Sequence, residues 1–92
     1  MKKLQEIIAS PLVTKKLRAV WSDGTHTDFG AKGYSDFTIH HDKTRRDLYR
    51  IRHNKDHIDN PYKPGALSWY ILWGSNTDLD TNIRSFKRRF RL

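Results

Sequence analysis

Asp23-Gly24 stands between two runs of alternating side chains, and no other dipeptide in the chain restricts the fold as much. Leu17, Ala19 and Trp21 share one face of a strand on the way in; Thr25, Thr27 and Phe29 alternate on the way back. Asp-Gly is a strong two-residue hairpin signal, because both central positions of such a turn favour positive φ. The spacing predicts a β-hairpin over residues 16–30, with Ser22 to Thr25 as the turn. Gly30 and Gly33 then bracket a tight turn. A phosphate-cradling loop would need more glycines and a following Lys-Ser/Thr, and neither is present.

The second constraint lies at the other end. Leu79, Ile83, Phe86 and Phe90 are spaced four, three and four apart, which places them on one face of a helix. Asp78 and Asp80 fall in its first turn and Arg88, Arg89 and Arg91 in its last, where the helix dipole favours each sign. Asn76 or Thr77 is the expected cap. Residues 84–92 carry five cations and no acid, against a net charge of +8 for the whole chain.

Between these ends, residues 36–57 contain a basic helix with its main body capped at Asp42, Leu48 and Ile51 on its apolar stripe and Arg45, Arg46 and Arg50 over the remainder; Phe37 and Ile39 either extend it upstream or anchor the loop. Asn60-Pro61 and Lys63-Pro64-Gly65 punctuate a loop. The dense run from Ala66 to Trp73 has the composition of a buried strand or of two helical turns; Trp69 and Trp73 four apart, and Leu72 three after Trp69, favour a short helix ended by Gly74. Residues 1–15 read as a short helix on Leu4, Ile7 and Ile8, or as an arm, stopped at Ser10-Pro11. The expected architecture is a small single α+β domain: 1–15 as arm or helix, and 16–92 as a β-hairpin packed against about three helices. Trp21, Phe29, Leu48, Ile51, Trp69, Trp73, Leu79, Ile83, Phe86 and Phe90 are expected to be largely buried, in the domain or at a contact. Trp21, Trp69, Tyr70, Trp73, Phe86 and Phe90 are the aromatics expected to form core or interface.

Ninety-two residues with 36% hydrophobic content support one small core. The absence of cysteine excludes disulfides, thiol nucleophiles and cysteine-ligated metals. No apolar run approaches the roughly 20 residues of a membrane span. Gln5 and Glu6 interrupt the only stretch resembling a signal peptide. His53 and His57 stand at i and i+4, and His40-His41 precede them, but no third ligand accompanies either pair. Of the aspartates, Asp23 is accounted for by the hairpin turn and Asp42, Asp78 and Asp80 by helix starts. The expectation is therefore a non-enzymatic protein without cofactor or metal.

An isoelectric point near 10.1 calls for an acidic partner: nucleic acid, an anionic membrane or an acidic protein surface. Half of the basic residues are arginine, which forms bidentate pairs with carboxylate and phosphate. Arg45, Arg46, Arg50, Arg84, Lys87, Arg88, Arg89 and Arg91 are the candidate partner-binding residues. The aromatics of residues 69–73 lie in a segment free of positive charge, unlike the interleaved pattern of a single-strand binding platform. That favours docking on protein, with double-stranded DNA as the alternative partner.

The run from Asp28 through Gly33-Tyr34-Ser35-Asp36 to Thr38 also carries a resemblance. With it go His41-Asp42-Lys43, Arg45-Arg46, Tyr49, Arg52-His53, the Trp69–Trp73 segment and the ending Ile83 to Phe90. Together they resemble small basic proteins encoded by large double-stranded DNA viruses of algae and protists, over roughly residues 16–91. The resemblance implies a virion component, such as a minor capsid protein bound to other capsid proteins or to packaged DNA. It implies a location in the virion, and in the host cell during assembly. It transfers no catalytic residue.

Overall fold

A computed structural model describes residues 2–92. Three antiparallel strands, β1 (Leu4–Ala9), β2 (Lys15–Trp21) and β3 (His26–Ala31), form a sheet in the order β1-β2-β3. Helices α1 (Phe37–His40) and α2 (Lys43–His53) follow. Then α3 (Pro64–Leu67) runs directly into a π-helical turn (Ser68–Leu72), and α4 (Leu79–Phe90) completes the fold. The molecule is an α+β domain, as the residue pattern predicts.

The first strand corrects the expected helix or arm over residues 1–15, of which Met1 lies outside the described residues. Leu4 pairs with Trp21 and Ile7 with Ala19, with a register shift between Leu4 and Glu6. A bulge adds one residue to a strand, so side chains three apart reach the same face. That is why Leu4 and Ile7 imitate helical spacing while lying in a sheet.

The hairpin forms where Asp23-Gly24 places it, with a different turn chemistry. Only Gly24, at φ 87°, takes a positive φ. Asp23 instead accepts hydrogen bonds from the backbone N–H and hydroxyl of Thr25, at 3.0 and 2.5 Å. On the outer sheet face, Asp28 accepts from Ser10 Oγ at 2.7 Å and from Arg18 Nε and Nη2 at 2.9 and 3.1 Å. The Arg18 guanidinium, foremost, holds this carboxyl below the usual range.

Leu4, Ala19, Trp21 and Phe29 from the sheet bury themselves against Leu67, Ile71, Leu72 and Phe86. Trp21 is closed over by Tyr62, ring edge to face at 5.0 Å, and its Nε1 donates to Thr27 Oγ1 at 3.0 Å. Leu79, Ile83 and Phe90 are half-buried against the same core. The expected α4 face is therefore the packed one. Asp78, rather than Asn76 or Thr77, caps the helix by accepting from Thr81 N at 3.0 Å.

One buried polar side chain ties α4 to the centre. Asn82, 2% exposed, donates to Ile71 O at 3.0 Å and Asn76 O at 2.7 Å, and accepts from Asn76 N at 3.2 Å. It satisfies the carbonyls left free where the π-helical turn ends and the chain reverses. Helix ends leave such groups without intrahelical partners.

Candidate docking surface

The basic helix expected within residues 36–57 has its main body in α2, and Phe37 and Ile39 upstream of it lie in the separate short helix α1. His41 adopts a left-handed conformation, φ 58°, and ends α1; Asp42 then caps α2 by accepting from Thr44 N and Arg45 N. Asp36, 2% exposed, caps α1 through Thr38 and receives Lys16 Nζ at 2.6 Å. The Gly33-Tyr34-Ser35-Asp36 segment thus fastens α1 to β2. Gly30, at φ 78°, takes a backbone conformation that strains other residues, and a Cβ there would lie 2.7 Å from Leu72 Cδ1, so the Leu72 side chain would have to shift.

None of the α2 residues is buried. Leu48 and Ile51, expected to be buried in the domain or at a contact, are 55% and 70% exposed, so the domain itself does not cover them. The reason is that α2 docks through other side chains. Arg50 donates from Nη1 to Trp69 O at 3.1 Å and Trp73 O at 2.9 Å, with its guanidinium carbon 3.9 Å from the centre of the Trp69 ring. Arg46 Nε donates to Gly74 O at 2.6 Å, and the same guanidinium lies 5.5 Å from the Phe37 ring. Two arginines named as partner-binding residues are thereby engaged within the molecule, satisfying carbonyls around the end of the π-helical turn.

Tyr49 completes the attachment. It stacks on Trp73 at 4.2 Å and 6° and on His53 at 4.2 Å and 24°. Trp73 is consequently only half-buried, and Tyr49 covers one of its faces. Burial, helped by the nearby Asp56 carboxylate, pushes the Tyr49 phenol up to about 12 from 10.0. Between these two values an unfolded chain has released this proton and the folded one has not, so stability should fall as pH rises through that window. Thermal unfolding of the wild type and of Tyr49→Phe should converge in pH dependence below 10 and separate above it, the wild type falling faster. Parallel curves would show that the stack does not desolvate the hydroxyl.

Beside this attachment opens a cleft of about 610 Å³ between the sheet edge, the π-helical turn and α2. Tyr34, Leu48, Tyr49 and Trp73 supply its apolar walls, and Arg45 and Arg52 flank Leu48 along the helix. Neither guanidinium has an ion pair or side-chain hydrogen bond among the described residues. Tyr34 is 74% exposed, and Ile39 adds a further exposed apolar side chain on α1. Tyr34, Leu48 and Arg52 were not among the expected binding residues. The Leu48 and Ile51 periodicity marked an apolar stripe without indicating that the stripe faces outward.

The second charged surface is α4. Arg84, Arg88, Arg89 and Arg91 are exposed and Lys87 is half-buried. Among the described residues none of the five forms an ion pair. Arg84 and Arg88 reach only the hydroxyls of Thr81 and Ser85 in their own helix, at 3.3 and 3.4 Å. Tyr70 and Phe90, half-buried, pack edge to face at 5.4 Å beneath Arg89. Trp21, Trp69 and Phe86 are core residues.

The histidines do not assemble. Helix α2 stops at His53, whose Nδ1 lies 2.5 Å from Asp56, and His57 stands in the following loop at φ 57°. The i and i+4 spacing is therefore not a helical one. Among the described residues no three His, Cys, Asp or Glu side chains gather as metal ligands. No described helix is long and apolar enough to cross a membrane.

These features define a small basic α+β domain with one outward-facing helix and one cationic helix. The chain belongs to the family of unknown function DUF5754, whose model matches residues 5–53. The match runs from β1 to the end of α2, so it takes in the sheet, the Asp36 cap and the exposed helix. It begins inside the segment expected to stand apart as an arm. No curated protein and no solved structure matches the chain.

Proposed function

We propose that the protein is a non-enzymatic docking component of an assembled particle, with α2 and the adjoining cleft as its main contact. The observation that carries this reading is the outward face of α2. Leu48 and Ile51 are exposed beside an aromatic-walled cleft, while the helix is held to the body by arginines and a tyrosine instead. Contiguous exposed apolar side chains rimmed by charge are a mark of interaction sites. Arg45 and Arg52, without carboxylate partners among the described residues, bracket Leu48. The partner fitting this pattern is an acidic protein segment with apolar side chains between its carboxylates. The sequence resemblance to viral proteins supports placing the chain in a large DNA virus particle, as a minor capsid protein.

Particles purified from infected cells should contain this chain in fixed ratio to the shell protein. The exposed double variant Leu48→Asp/Ile51→Asp should fold with stability within about 1 kcal/mol of the wild type, since surface changes are usually small. It should be lost from particles at least tenfold. Incorporation of that variant at the wild-type ratio would defeat the reading.

A second reading, binding to DNA, draws on the unpaired cations of α4. Duplex affinity should then decline with salt, each phosphate contact adding about 0.9 to the slope of log K against log salt. No binding to duplex at low salt removes it.

A further inference from the structure

We propose that the notch between α2, the π-helical turn and α4 is a binding site for a phosphate group. The notch encloses about 250 Å³, and Arg50, Arg89, Ser75, Ser85, Asn82 and Tyr70 line it. It is separate from the α2 cleft and independent of the docking reading. The α2 residue that lines it, Arg50, projects toward Trp69 and Trp73, whereas Arg45, Leu48 and Arg52 border the cleft.

The lining is rich in donors and lacks acid. Arg50 Nη1 is fixed by the Trp69 and Trp73 carbonyls, while Nε and Nη2 have no partner among the described residues. Arg89 has neither ion pair nor hydrogen bond among them. Its guanidinium carbon lies 4.9 Å from the Tyr70 ring, which holds it over the notch wall. The Ser75 hydroxyl has no partner among the described residues, and Ser85 Oγ accepts from Arg88 at 3.4 Å, leaving its proton available. Asn82 is saturated by its own three bonds and serves as wall.

The electrostatics point the same way. Burial, then the neighbouring Arg46 cation, pushes the Arg50 guanidinium below its usual value, and Arg89 adds to the repulsion. Asp47, which acts on Arg50 in the opposite sense, is 3.4 Å from Arg46 Nη1 and largely exposed. A bound anion relieves this clustering of like charge. Arginine forks match the oxygen spacing of phosphate and of carboxylate. Two forks and two hydroxyls offer more donors than the two oxygens of a planar carboxylate accept, so a tetrahedral oxyanion fills the set better. Phosphate ends and backbone diesters both present that group.

The test is a nitrogen–proton NMR titration of the full chain with sodium phosphate, against sodium chloride at equal ionic strength. Saturable shifts should appear at the Ser75 and Ser85 amides and at the Arg50 and Arg89 Nε groups. Arg89→Gln should weaken phosphate at least tenfold, as should Ser85→Asp, which places a carboxylate in the notch. Arg84→Gln, exposed on α4 and outside the notch lining, should leave affinity unchanged. Binding of methyl phosphate but not dimethyl phosphate assigns the site to phosphate ends; binding of both assigns it to diesters. Shifts no larger than those with chloride, or equal weakening by Arg84→Gln and Arg89→Gln, overturn the proposal.

Discussion

Asn82→Leu should destabilise the domain by about 3 kcal/mol, although leucine is close to asparagine in size and more apolar. Each buried polar group left without a partner costs roughly 1–3 kcal/mol. The substitution strands the carbonyls of Ile71 and Asn76 and the Asn76 N–H. The Ile71 carbonyl matters most, because its bond to Asn82 is fully buried. Urea unfolding should show the lower midpoint with an unchanged slope, since the surface exposed on unfolding is nearly the same. A loss below about 0.5 kcal/mol, the range of ordinary surface changes, would mean that Phe86 and its apolar neighbours hold α4 without the asparagine. Asn82 also forms a wall of the notch beneath Arg89, so a loosened α4 should weaken phosphate there as well.

What the residue pattern revealed, and what it hid, follows from which interactions are local. Asp23-Gly24 and the alternation around it specify a hairpin because turn and strand preferences act over a few residues. The α4 face was legible for the same reason: Leu79, Ile83, Phe86 and Phe90 obey one period, and acids and bases sit at the appropriate ends. Strand β1 was hidden by its bulge, which gives Leu4 and Ile7 a helical separation. The exposure of Leu48 and Ile51 was hidden because a stripe states which residues share a face, not whether another element covers it. The covering contacts come from Arg46, Arg50 and Tyr49, whose partners lie 19 to 28 residues away. Arginine was read as a surface cation throughout, and the pattern offers no signal that two of them satisfy backbone carbonyls. The π-helical turn is part of the reason. Trp73 N donates to Ser68 O at 3.0 Å, five residues back, and this wider turn brings the Trp69 and Trp73 carbonyls within reach of one guanidinium nitrogen.

Arg50→Met should therefore act on the fold and on both surfaces. Methionine retains an unbranched apolar stem, so the lost parts are the two hydrogen bonds to carbonyls and the charge over the Trp69 ring. A hydrogen bond to a charged group contributes about 1.5–3 kcal/mol, and a cation on an aromatic face about 0.5–2 kcal/mol. Sharing of one nitrogen between two carbonyls makes these less than additive, and release of a half-buried cation offsets part of the loss. The expected net cost is about 2–3 kcal/mol in thermal or urea unfolding. Arg50→Lys keeps the charge without the planar fork, so it should recover less than half of that stability. Helix α2 has no buried residue of its own. Its amide protons should consequently exchange with solvent faster in Arg50→Met than those of α4, which is held independently by Phe86 and Asn82. Equal acceleration in both helices would show that Arg50 supports the whole core. Selective release of α2 would establish that Arg50 is a main anchor, beside Arg46 and the Tyr49 stack, of the helix carrying the exposed Leu48 and Ile51, and that its presentation to a partner depends on that anchor.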